Sequence, residues 1–218
     1  MLAAVASGRH GDPFAVLGPH RDEATGGIVV RALQPAARTI HLRVTTTGDL
    51  HAMRRRDRNG LFEVALPGDR IPDYRLRITY SSGQVIEIDD PYRYGRVLTD
   101  FDLHLFGEGT HQRAFEKFGA HRMVVGTTVG VHFAVWAPNA DRVSLIGDFN
   151  GWDGRVHVMR LLVPAGVWEI FIPDLADGEK YKFEIRTKTG QILTKSDPFG
   201  FAFEPPPQTA SVVAPLIA

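Results

Sequence analysis

Gly83-Gln84-Val85-Ile86-Glu87-Ile88-Asp89-Asp90-Pro91-Tyr92 and Gly190-Gln191-Ile192-Leu193-Thr194-Lys195-Ser196-Asp197-Pro198-Phe199 are two versions of one pattern. Each is a Gly-Gln turn, a short extended run and a closing Asp-Pro-aromatic. Upstream of each lies a Tyr-initiated alternating run, Tyr74-Arg75-Leu76-Arg77-Ile78 and Tyr181-Lys182-Phe183-Glu184-Ile185. Further upstream stand Leu61-Phe62-Glu63-Val64 and Val167-Trp168-Glu169-Ile170, then Gln34-Pro35-Ala36-Ala37 and Ala137-Pro138-Asn139-Ala140. The order is the same in both halves, and the offset stays at about 103–107 residues. Solenoid repeats run at about 20–50 residues. This period is the size of a small domain. The chain therefore reads as two copies of one β-domain.

At 218 residues the chain can hold one large domain or two small ones, and the repeat selects two. A copy of about 100 residues buries an adequate core without staples, and the chain has no Cys to supply disulfides. The start, Met1-Leu2-Ala3-Ala4-Val5-Ala6, has no basic region and no long apolar region, so no signal peptide is expected. No apolar run approaches the roughly 20 residues of a membrane span. Charge is balanced, with 25 basic and 25 acidic residues. That leaves no electrostatic footprint for nucleic acid. A cytoplasmic protein that binds neither nucleic acid nor membrane is expected. The one basic cluster, Arg54-Arg55-Arg56-Asp57-Arg58, precedes the turn signal Asn59-Gly60 and reads as a solvated hairpin loop.

Strands are expected at Ile28–Leu33, Thr39–Thr45, Leu61–Leu66, Tyr74–Tyr80 and Gln84–Ile88 in the first copy. The second copy repeats them near Val131–Trp136, Arg142–Ile146, Val167–Ile172, Tyr181–Thr187 and Ile192–Lys195. Asp12-Pro13-Phe14 has Asp at an N-cap and Pro at a first helical position. Between the copies, Gln112–Phe118 reads as a short linker helix. Short strands at regular spacing with Gly, Pro and Asn turns imply an all-β fold of two tandem sandwiches. The expected boundaries are 1–105 for the first sandwich, 106–120 for a linker with a short helix, 121–213 for the second sandwich and 214–218 for a tail.

Active-site chemistry is not visible. The nine His residues are scattered and show no zinc-ligand spacing, His111 and His121 included. No phosphate-binding glycine loop and no nucleophile elbow is present. Asp148 and Asp153 flank a turn and read as turn formers. No catalytic residue, metal or cofactor is expected. The distinctive motif is Gly147-Asp148-Phe149-Asn150-Gly151-Trp152-Asp153, which has no equivalent in the first copy. Its Asn-Gly turn sets Trp152 at the end of a strand or just beyond a loop, where an indole either packs on a neighbouring loop or domain or offers a flat platform to a sugar ring. Trp168 occupies the place of Phe62 and is expected in the core. Trp136 ends a strand before Pro138 and is expected to seal the sandwich edge as a structural aromatic. Lys182 alternates with apolar Tyr181 and Phe183, which turns its amine outward.

Taken in order, Asp12–Gly18, Asp90-Pro91-Tyr92, Leu105–His111, Gly119-Ala120-His121, Val135–Ala140, Gly147–Trp152, Gly166–Glu169, Tyr181-Lys182-Phe183 and Thr209–Val213 resemble bacterial glycogen branching enzymes over nearly the whole chain. The resemblance implies an N-terminal immunoglobulin-like sandwich. A second sandwich of the glycogen-binding carbohydrate module type follows it. In such enzymes a catalytic barrel comes next and makes α-1,6 branches with an Asp nucleophile and a Glu acid/base. This chain has no counterparts of those carboxylates and is expected to be inactive by itself, with the missing barrel as a partner in cis. The module resemblance makes Trp152, Lys182 and Asn150 glucan-binding candidates. A second sugar-stacking Trp of such modules is matched here by Ile192, which has no flat face, so α-glucan affinity is expected to be modest. Two other readings remain: a stand-alone α-glucan-binding module, and a pair of structural interaction domains.

Overall fold

A computed structural model describes Leu2, Val5 and residues 12–215. Residues 216–218 of the expected tail and most of the apolar start lie outside them. The chain forms two compact units, Met1–Arg93 and Tyr94–Ala218. Among the described residues each is built mainly of strands, and each packs two layers of antiparallel strands around its own core.

The first unit opens on a 3-10 turn, Pro13–Ala15. Asp12 caps it by accepting the Phe14 amide at 3.1 Å. Seven strands follow: β1 (Gly18–Arg21), β2 (Ile28–Leu33), β3 (Ala37–Val44), β4 (Leu50–Arg55), β5 (Leu61–Leu66), β6 (Tyr74–Tyr80) and β7 (Val85–Ile88). Their order is β1-β2-β5-β4-β3-β6-β7. Alternation turns Ile28, Val30 and Phe62 of one layer toward Ile40, Leu42, Tyr74, Leu76 and Ile78 of the other. Full burial of a side chain such as Leu42 contributes about 1.5–3 kcal/mol. β4 joins the layers: its start pairs β3 through Leu50 to Met53, and its end pairs β5 through Arg54 and Arg55. The basic cluster thus begins inside a strand. Arg55 donates to the Ala37 carbonyl at 3.2 Å and lies over the Phe62 ring. Of the expected solvated loop, only the part after Arg55 lies outside the strand.

The second unit carries one helix, α1 (Asp100–Gly107), and the strands β8 (Gly119–Val125), β9 (Thr128–Trp136), β10 (Ala140–Gly147), β11 (His157–Val158), β12 (Arg160–Leu162), β13 (Val167–Pro173), β14 (Lys180–Thr187), β15 (Ile192–Lys195), β16 (Ala202–Phe203) and β17 (Ser211–Val212). One sheet runs β11-β10-β14-β17-β16 with β15 on β14, and the other runs β12-β13-β9-β8. Phe133 meets Tyr181 edge-on between them, with ring centroids 4.9 Å apart. The role of β4 is divided here between β11, which pairs β10, and β12, which pairs β13.

The expected linker helix at Gln112–Phe118 is only a 3-10 turn, Ala114–Glu116. The true helix lies upstream, where Thr99 and Asp102 form a capping box. The expected boundary at 105 falls inside α1. Leu98, Leu103 and Phe118 are buried against Ala134, Leu162 and Val167, so residues 94–118 cover the outer face of the four-stranded sheet. Glu169 of β13 fastens this cover by accepting the Leu98 amide at 3.0 Å, and it meets His132 Nε2 at 3.0 Å. Burial pushes the Glu169 carboxyl up, but His132 and the Leu98 and Val97 amides outweigh it and hold it below the usual range.

The repeat holds at atomic detail. Tyr74 donates to Asp90 at 2.7 Å, and Tyr181 donates to Asp197 at 2.6 Å. Gly18 and Gly119 open β1 and β8 at φ +80° and +95°. At each, a Cβ would press on the carbonyl of the closing aromatic, Tyr92 or Phe199.

Candidate functional site

Trp152 lies just beyond the end of β10, on a turn held from within. The 3-10 turn Asp148–Asn150 leads to Gly151 at φ +62° and Trp152 at φ +59°. A left-handed tryptophan costs about 1–3 kcal/mol and persists only where its surroundings over-determine it. Those surroundings are visible. The Trp152 amide donates to the Gly147 carbonyl at 2.9 Å, and its indole N–H donates to Asp148 Oδ1 at 2.8 Å. With its edge tied, the half-exposed ring keeps a fixed orientation.

Asn150 spends its amide inside the turn. Its Oδ1 accepts the Gly147 amide at 3.0 Å, and its Nδ2 donates to the Leu145 carbonyl and to His157 Nδ1, both at 2.9 Å. An amide nitrogen only donates, so Nδ1 of His157 is the unprotonated, accepting nitrogen. Burial pushes the His157 pKa down to about 4, which keeps the ring neutral in that role. Gly147 is required by space: a Cβ there would come within 2.4 Å of the Phe149 ring.

Lys182 of β14 is opposite Ile146 of β10, one rung from Gly147 and Tyr181. Its ammonium donates to Thr209 Oγ1 at 2.6 Å. Lys180, on the same face by alternation, pairs with Glu204 at 2.8 Å. Ile192 of β15 is opposite Arg186 and is exposed. It lies about 13 Å along β14 from the Lys182 rung. The structure thus brings Trp152, Asn150 and Lys182 to one end of the six-stranded sheet and leaves Ile192 apart. Asp148, Thr209 and His157 complete this end; sequence alone offered Asp148 only as a turn former and gave no signal for the other two.

Trp168 is buried, and its indole donates to the Ala137 carbonyl at 3.1 Å. Trp136 is 53% exposed. Its indole N–H donates to the Ala165 carbonyl at 3.1 Å, and Phe106 approaches it edge-on at 6.1 Å. Among the described residues, no three His, Asp or Glu side chains cluster to hold a metal, and no helix is long and apolar enough to cross a membrane.

A family model described as alpha-1,4-glucan branching enzyme GlgB, N-terminal domain, matches residues 1–92. A second, carbohydrate-binding module 48 (isoamylase N-terminal domain), matches residues 117–200. The 1,4-alpha-glucan branching enzyme GlgB of Paramagnetospirillum magneticum is 54% identical over 211 residues, which cover 96% of this chain and 28% of that protein. The enzyme of the same description from Gloeobacter violaceus is 49% identical and covers 99% of this chain and 29% of its own length. Among solved structures, a pullulanase from Anoxybacillus sp. LM18-11 matches 90% of this chain and 27% of its own at 18% identity, with a TM-score of 0.37. The chain spans under a third of the length of the curated relatives it matches. The chain thus matches the N-terminal part of 1,4-alpha-glucan branching enzymes, a GlgB N-terminal domain followed by a carbohydrate-binding module 48.

Proposed function

We propose that the second unit holds an α-glucan chain on the Trp152 indole, and that the two units are the non-catalytic N-terminal region of a branching enzyme. On this reading they position α-1,4-glucan for a catalytic barrel in cis and support that barrel in the cytoplasm. The observation that carries it is the fixed, half-exposed indole of Trp152, held at φ +59° with its N–H on Asp148. A pre-oriented ring gives up little freedom on binding. Lys182, one rung along from the Gly147–Tyr181 pair, and Thr209, to which it donates, are the hydrogen-bonding groups assigned to sugar hydroxyls on this reading. Asn150 acts by holding the turn.

The nearby carboxylates fit binding better than bond-making. The Arg155 hydrogen bond holds Asp153 below the usual carboxylate range, and the Lys180 hydrogen bond does the same for Glu204. Neither is a proton donor at neutral pH. Ile192 lies apart and has no flat face, so stacking at this end rests on one ring. By analogy with aromatic stacking on bases, that ring is worth about 1–3 kcal/mol, or about 5- to 150-fold in affinity. Electrophoresis in glycogen-containing gels should show retardation that Trp152→Ala weakens by that factor. Equal retardation of both proteins would assign Trp152 to packing and end the proposal.

A further inference from the structure

Trp136 is an exposed aromatic that this reading does not use. It stands at the end of β9, in the place that Leu33 holds at the end of β2. The correspondence follows from the register: Leu33 pairs with Leu61, and Trp136 pairs with Val167. Both residues precede the turn that Gly60 or Gly166 packs against, at Pro35 or Pro138. Leu33 is 4% exposed, within a cluster that includes Val5, Val16, Leu17 and Tyr92. Trp136 is 53% exposed. The first unit fills this position with a covered aliphatic side chain, whereas the second leaves an indole open.

The open indole is ordered in the same way as that of Trp152. The indole N–H of Trp152 is tied to Asp148, and that of Trp136 is tied to the Ala165 carbonyl. Phe106 meets Trp136 with the ring planes 66° apart, which braces the indole. In both cases the N–H edge is occupied, the ring is fixed and aromatic surface is left open. Such a surface suits the C–H face of a pyranose.

We propose that Trp136 is a second stacking platform for α-glucan, at the opposite end of the second unit from Trp152. This inference rests on the glucan-binding reading of that unit. Trp136 precedes β10, and Trp152 follows it. β10, eight residues long, spans about 25 Å between these two ends. A polymer can engage both platforms, so the second contact is intramolecular and adds avidity, whereas maltotriose reaches one platform at a time.

The test compares wild type, Trp152→Ala, Trp136→Leu and the double variant in glycogen gels, with maltotriose as competitor. Trp136→Leu installs the residue that the first unit uses at this place, and a thermal melt near wild type would certify its fold. Each single variant should lose about fivefold or more in apparent glycogen affinity, and the double variant should migrate as in a glycogen-free gel. Trp136→Tyr, which keeps a flat ring, should restore part of the retardation. If Trp136→Leu migrates as wild type while Trp152→Ala abolishes retardation, this inference fails and the Trp152 reading stands. If Trp152→Ala migrates as wild type while Trp136→Leu abolishes retardation, the Trp152 reading fails and this one stands. If all four proteins migrate alike, both fail. A change in sedimentation of Trp136→Leu without a change in glycogen mobility would make this a protein contact and overturn the inference.

Discussion

His157 makes the stability of the second unit depend on acid in a way that can be isolated. The ring is buried, and its Nδ1 accepts from the Asn150 amide that shapes the Trp152 turn. Burial moves its pKa from 6.5 down to about 4. As pH falls below 6.5, the unfolded chain takes up this proton first. The stabilisation is therefore complete above 6.5 and is lost as pH falls toward about 4. Linkage puts the loss at about 2.5 kcal/mol by pH 4.5, and about half of that at pH 5.5. Protonation would also set an imidazole N–H against the Asn150 N–H, so the loss is felt at the turn itself. The perturbation is His157→Gln, which removes the titration and leaves an amide oxygen able to accept from Asn150. All three tryptophans, Trp136, Trp152 and Trp168, lie in the second unit, so indole emission in urea follows that unit alone. The quantity to compare is the difference in unfolding free energy between wild type and variant, because other titrating groups cancel from it. Between pH 7.5 and 4.5 that difference should move toward the variant by about 2.5 kcal/mol. A difference that stays flat across this range would refute the burial argument.

Asp90 in the first unit should behave in the opposite sense. Burial raises its pKa to about 6, so the folded carboxyl stays protonated while the unfolded one ionises above 3.8. Its contribution is complete below 3.8 and is lost as pH rises through about 6. Relative to wild type, Asp90→Asn should gain about 2 kcal/mol from pH 4.5 to 7, followed by tyrosine circular dichroism. At Gly18, φ is +80° and a Cβ would lie 2.5 Å from the Tyr92 carbonyl oxygen, whereas Gly68 at φ +91° has nothing within 4 Å. Gly68→Ala should cost about 1 kcal/mol through backbone strain, and Gly18→Ala at least twice that through the added clash, read from chemical denaturation. Equal costs would remove the clash from the account.

Strands with one buried face were legible because alternation shows directly, as in Tyr74, Leu76 and Ile78. β4 was not legible. It turns the corner between two layers and buries only Met53, so Leu50–Arg55 carries no alternation. α1 was hidden for the opposite reason. Asp100-Phe101-Asp102-Leu103-His104-Leu105 alternates like a strand, yet the chain turns helical because Thr99 and Asp102 cap it. That capping pair was in the sequence and was the signal to use. At the site, the turn around Trp152 was legible from Asn150-Gly151. The use of the Asn150 amide was not, because its partners Leu145 and His157 lie on β10 and β11 and meet it only once those strands pair.

The two units match where geometry leaves no choice. The Tyr74–Asp90 and Tyr181–Asp197 bonds close the same corner, and Gly18 and Gly119 admit the same carbonyl approach. They differ where the scaffold is indifferent to length. After β3 the chain reaches β4 through residues 45–49, a turn closed by the Gly48 amide on the Val44 carbonyl at 2.8 Å. After β10 it takes residues 148–156 to reach β11. The extra length does not hang free. It folds back until Gly154 leaves no room for a Cβ against the Glu184 carboxylate, and Asp153 grips Arg155 at 2.6 Å. Longer loops close at little entropic cost, so such a loop can be lengthened without unmaking the sandwich. Trp152 stands on that loop, and Trp136 stands where the first unit keeps a covered leucine. Both proposed platforms therefore stand where the two units differ, and either can be removed without touching the paired tyrosines, glycines and aspartates that the units share.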